Sequence, residues 1–204
     1  PGIGVIIRAW ASAERESKVV IEEHNYFDGD RFFDPGRLAV STLFRRSVAI
    51  AGYTINRRMA NKAATDRFDG TLLYQSYLTG LVAYSCGGYY ISDRIAIMLE
   101  DPGQKAHFFG NAEVEKDKYK PGTLSTNNSL NFVNGMVEIA KYLANYHTDN
   151  RLYEEIINDI GNYSYPILSI QRNKPIPEFI RYFNSLRKVG FSRNPYIYLY
   201  FFIL

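Results

Sequence analysis

One cysteine, Cys86, occurs in 204 residues, so no internal disulfide can form and no Cys/His cluster with zinc spacing is present. A reducing compartment is the expectation. Long hydrophobic runs are missing too: the last apolar stretch, Ile197 to Leu204, is far shorter than the ~20 residues of a membrane-spanning helix. The chain opens at Pro1 with no initiator Met, no charged lead and no signal-peptide pattern, which reads as a piece of a longer polypeptide. A net charge of +3 is too small for a domain built on phosphate contacts, so no nucleic-acid partner is expected. No Gly-Lys-Ser/Thr occurs, and Gly87-Gly88 follows a helical pattern where a phosphate loop would precede one. Ser/His/Asp and Cys/His arrangements are lacking as well. His24, His107 and His147 lie scattered in polar segments and read as solvated histidines.

With 46% hydrophobic and 22% charged residues, disorder is excluded and one globular domain, or the larger part of one, is expected. Ile3, Val5, Ile6 and Ile7 predict a buried strand over Gly2 to Trp10. A polar excursion follows from Ala11, then a helix over Arg37 to Phe44 and a second strand over Val48 to Ile55. Leu72, Leu73, Ser76, Tyr77 and Gly80 recur at helical spacing from just after Asp69 to the stop at Gly87 and Gly88. Tyr89 to Leu99 reads as extended, with a turn at Asp93 and Arg94. Glu100 to Pro121 is a long polar stretch of the kind that forms lids or binding loops. Beyond it, helices are predicted over Asn127 to Asn145, Leu152 to Ile160 and Ile176 to Val189, with Pro166 and Pro175 breaking the segment between the last two. The fold class is therefore α/β, in two parts: an α/β region over 1–110 and a helical region over 111–204.

Asp66 and Asp69 are the residues with the most chemical promise. Asp69 has two readings: an N-cap for the helix after it, or a general base at a sheet rim that takes a proton from a hydroxyl group. Leu72 stands where a capping box would place Glu or Gln. Asp28-Gly29-Asp30 has the letters of an acidic metal motif, but follows a strand and does not end one.

The segment from Val48 to Ile97, VAIAGYTINRRMANKAATDRFDGTLLYQSYLTGLVAYSCGGYYISDRIAI, resembles the acceptor-side half of family 2 glycosyltransferases of the GT-A fold. Asp69 falls on the family's motif aspartate, Gly80 on its helix-ending glycine and Gln75 where many members carry Arg, while Phe68 replaces the motif glutamate. Gly70, Thr71, Leu72 and Gln75 are similar to a pattern in abequosyltransferase-like enzymes of bacterial surface polysaccharides. The resemblance implies a partial GT-A sheet followed by a helical C-terminal region. It also implies inverting sugar transfer with Asp69 as base, and Asp66, Gln75, His107 and Arg57 as substrate-binding residues. Its further implications are a nucleotide-sugar donor, a saccharide or lipid-linked acceptor, and a divalent ion, Mg or Mn, in the full-length enzyme. That ion and the donor site would belong to an N-terminal half, leaving this chain alone with no metal and no activity.

Between Arg172 and Arg193 six basic residues face the single acid Glu178. In the helix around them Phe179, Tyr182, Phe183 and Leu186 share one face. Either that face packs in a core, or the helix lies on an anionic membrane surface. The location implied is the cytoplasm, with the inner face of the cell membrane as the docking surface in the second case. The competing function is a non-catalytic domain that docks on a membrane or a partner.

Overall fold

The computed structural model describes residues 2–100, 112–121 and 124–204. Residues 101–111 of the polar loop expected over 100–121 lie outside the described residues. The β-branched start forms β1, Val5–Glu14, in which Val5, Ile7, Ala9, Ala11 and Ala13 are all buried at alternate positions. This strand runs four residues past Trp10, because the small side chains Ala11, Ser12 and Ala13 fit a buried position. The polar excursion expected there is thus in part strand, and β2, Val20–His24, turns back to pair antiparallel with β1. As an edge strand β2 has its residues largely exposed, which removes the apolar alternation that would have marked it.

One edge of β1 is filled along its length by β5, Gly88–Glu100, in parallel. The other edge is shared, by β2 near its end and by β4, Thr54–Ile55, at its start, both antiparallel. β3, Arg31–Phe33, adds to the far side of β5, giving the order β2-β1-β5-β3 and a mixed, open sheet. Within β5 the pairing jumps from Arg8↔Ile91 to Trp10↔Ala96, so the turn expected at Asp93 and Arg94 is a bulge inside a continuous strand. The second expected strand is shorter than its apolar letters suggest. Arg45–Val48 is a 3-10 turn, and Gly52, with φ at 72°, bends the chain so that its carbonyl accepts from Arg8 N–H.

Parallel pairing of β1 with β5 requires a long crossover, which carries α1 (Arg37–Leu43), α2 (Arg57–Ala63) and α3 (Tyr74–Cys86). Asn56 caps α2 by accepting from Met59 N–H. Gly87, with φ at 70°, ends α3 in the left-handed region that glycine tolerates best. Gly80, which the resemblance aligns with a helix-ending glycine, instead lies inside α3, and the helix begins five residues after Asp69.

The chain divides into two compact units, Pro1–Asp66 with Gln75–Lys105, and Arg67–Tyr74 with Ala106–Leu204. Each has its own buried core. In the first, Val5, Ile7, Leu43, Phe44, Val82 and Tyr90 are enclosed. The second is built on α4 (Thr126–Tyr146), α5 (Asn150–Asn162), α6 (Tyr165–Ser169), α7 (Ile176–Leu186) and α8 (Pro195–Ile203). Ser125, two residues before the expected helix start at Asn127, caps α4 by accepting from Asn128 N–H. The segment around Pro166 does form a helix, because that proline stands in the first turn, where a missing N–H costs nothing. Asn194 caps α8 and is buried, its amide donating to Asn162 Oδ1 and Asn158 O. No helix among the described residues is long and apolar enough to cross a membrane.

Candidate functional site

Arg67 to Gly70 form a turn that belongs to the second unit. Its conformation comes from four features. Thr71 Oγ1 donates to Phe68 O at 2.6 Å and accepts from Leu73 N–H at 3.3 Å, which closes the turn ahead of α3. Gly70, with φ at 71°, lies against the Val114 carbonyl, where a Cβ has no room. Leu73 meets α4 at Gly135, whose missing side chain lets it approach. Tyr119, fully enclosed, donates its hydroxyl to Thr71 O at 3.0 Å.

Beside this turn is a cleft of about 600 Å³, lined by the turn residues Arg67, Phe68 and Thr71, by Lys118 and by one stripe of α4. That stripe is Glu138, Lys141, Tyr142, Asn145 and Tyr146, at helical spacing on the side away from the core residues Val137, Ala140, Leu143 and Ala144. Phe68 meets Tyr142 edge-on at 5.3 Å, and the Arg67 guanidinium stands 4.8 Å from the centre of the Tyr142 ring. Tyr146 stacks on Tyr142 at 5.9 Å. The cleft therefore offers aromatic faces, three cations and one acid.

Asp69 does not line the cleft itself but stands on the turn whose neighbours do. Its side chain is exposed, and among the described residues its carboxylate has no hydrogen-bond or ion-pair partner. Its backbone carbonyl accepts from Lys118 Nζ at 3.3 Å. The N-cap reading of Asp69 does not hold, because α3 starts at Tyr74 and the Thr71 hydroxyl serves the turn before it.

No family model, no curated protein and no solved structure matches the chain.

Arg57, Asp66 and Gln75 belong to the first unit. Arg57 is the exposed first residue of α2, and Asp66 is exposed in a bend after it. Gln75 donates its amide to Val48 O at 3.0 Å, and its backbone carbonyl accepts from the Tyr53 and Thr79 hydroxyls. His107 lies outside the described residues. Asp28 and Asp30 do not make a metal pair: Asp30 Oδ1 accepts from Ser92 N–H and Oγ–H, each at 2.8 Å, and Oδ2 accepts from Tyr89 OH, which ties the Asp30 loop to the bulge of β5. No group of three His, Cys, Asp or Glu side chains suited to a metal ion occurs among the described residues. Sequence reasoning missed Arg67, Lys118, Lys141, Tyr142 and Tyr146. The α4 stripe was readable from helical period, whereas the approach of Lys118 to Asp69 spans 49 residues and leaves no local signal.

Proposed function

We propose that this chain supplies the acceptor-binding and proton-accepting part of an inverting glycosyltransferase that uses a nucleotide-sugar donor. The observation that carries the reading is the exposed Asp69 carboxylate, without a partner among the described residues, on the turn that walls an aromatic and cationic cleft. Sugar rings present apolar C–H faces and polar rims, and Tyr142 and Tyr146 match the former while Asn145, Glu138 and Lys141 match the latter. In the transfer, an acceptor hydroxyl oxygen bonds to the anomeric carbon while the bond from that carbon to the donor diphosphate breaks. Asp69 takes the hydroxyl proton, and the bonding pair leaves with the diphosphate. The divalent ion expected in such enzymes has no ligand set among the described residues, and no step here passes through it. The partial GT-A sheet is part of the same proposal, and the mixed sheet with β1 parallel to β5 is compatible with it.

Asp69→Asn in the full-length enzyme keeps the shape of the turn and removes the proton acceptor. Sugar transfer is expected to fall by about 10²–10⁴-fold, with the thermal melting temperature unchanged. Transfer at the parental rate by a folded Asp69→Asn protein rules out the assigned base.

A further inference from the structure

The apolar face of α7 is not free. Phe201 of α8 stacks on Phe183 at 4.0 Å and on Phe179 at 5.5 Å, while Tyr182, Phe183 and Leu186 are buried. Of the two readings of the Phe179–Leu186 stripe, packing is the one the structure adopts. What stays uncovered is the other side of α8. This helix has no charged residue, and Leu199, Phe202 and Ile203 are 50%, 80% and 64% exposed.

Next to that side lies a pocket of about 540 Å³ lined by Asn184, Arg187, Lys188 and Ser192. Its guanidinium is fixed in place: Arg187 Nε donates to Tyr198 OH at 3.1 Å and Nη1 to Asn184 Oδ1 at 3.3 Å, leaving further N–H donors unused by these bonds. Tyr198 OH in turn donates to Ser192 O at 2.8 Å, so one α8 side chain spans the pocket. Lys188 is exposed and has no hydrogen-bond or ion-pair partner among the described residues. Tyr198 and Phe202 are four residues apart on α8, hence on one face, which sets the cationic pocket and the apolar surface side by side.

We propose that this is a phospholipid site: the pocket takes the phosphate of an anionic headgroup while Leu199, Phe202 and Ile203 enter the acyl boundary of the same membrane leaflet. Charge complementarity selects this occupant. Arg172, Lys174, Arg181, Arg187, Lys188 and Arg193 are all exposed around the pocket's segment of chain, against the single acid Glu178, as attraction to an anionic lipid surface requires. The inference does not depend on sugar-transfer chemistry.

Flotation of the full chain with vesicles of phosphatidylcholine, and with vesicles in which part of that lipid is replaced by phosphatidylglycerol, tests it. The parent protein is expected to float only with the second kind, and to be released by high salt. Leu199→Ser with Phe202→Ser, and Lys188→Gln with Arg193→Gln, are each expected to lower partition by roughly tenfold or more. These positions are exposed, and the second pair leaves the Arg187–Tyr198 hydrogen bond intact. No flotation of the parent protein, flotation indifferent to phosphatidylglycerol, or equal flotation of either folded double variant overturns the proposal. Should a double variant fail to fold, Phe202→Trp serves instead. Its emission is expected to shift to the blue and to be quenched by brominated lipid, and emission unchanged by anionic vesicles overturns the proposal.

Discussion

Tyr119 shows how much of the site rests on single buried polar atoms. Its hydroxyl is the partner of Thr71 O, and burial pushes its pKa up to about 12, with the nearby Glu115 and Glu138 acting in the same direction. Tyr53 in the first unit is likewise raised to about 12 by burial. Both shifts favour the neutral phenol in the folded state. The unfolded chain then loses protons first as pH rises above about 10, so stability is unaffected below that value and declines between about 10 and 12. Tyr119→Phe leaves the Thr71 carbonyl unpaired and is expected to cost about 1–3 kcal/mol at neutral pH, while making the loss above pH 10 shallower. Urea titrations of parent and variant at neutral and alkaline pH measure both effects. An unchanged alkaline slope would show that Tyr119 is not the titrating group. Asp69 is the opposite case, a carboxylate with no hydrogen-bond or ion-pair partner among the described residues, while its backbone carbonyl is held by Lys118.

At the scale of elements, α4 separates two tasks by its period. Leu143 on one side is fully buried, whereas Tyr142 on the other lines the cleft and touches Phe68 at a ring edge. Leu143→Ala is expected to cost about 2–5 kcal/mol, because a cavity opens where the neighbours cannot collapse. Tyr142→Ala loses mainly the aromatic contact, about 0.5–1.5 kcal/mol, but is expected to weaken saccharide binding. Denaturation curves rank the two stabilities, and titration with an oligosaccharide followed by nuclear magnetic resonance reads the binding. Equal saccharide binding by Tyr142→Ala and the parent would remove the tyrosine face from the site. The start of α3 shows where pattern reading stops. Helical spacing was legible from Leu72 onward, yet Leu72 has φ at 63° and the helix waits until Tyr74, because Thr71 and Gly70 commit the backbone to a turn against Val114.

Across the whole molecule, the division into two units gives each its own core, so cooperativity is expected to follow the units. Phe44→Ala should lower amide-exchange protection first in β1 and β5, and Leu143→Ala first in α4 and α5. Hydrogen exchange read by mass spectrometry checks this, and uniform loss of protection in both variants would mean a single cooperative unit. The sequence alone determined the α/β class, the central strand, the long helices of the second unit and the basic segment near its end. Those features are periodic or compositional, and they depend on neighbours within a few turns of chain. Only the tertiary structure decided that β2 is an edge strand, that α8 covers the aromatic stripe of α7, and that Lys118 and the outer face of α4 meet the turn carrying Asp69. Each of these joins residues far apart in the chain, and the free energy that selects such contacts comes from burial and hydrogen bonding that no local window contains.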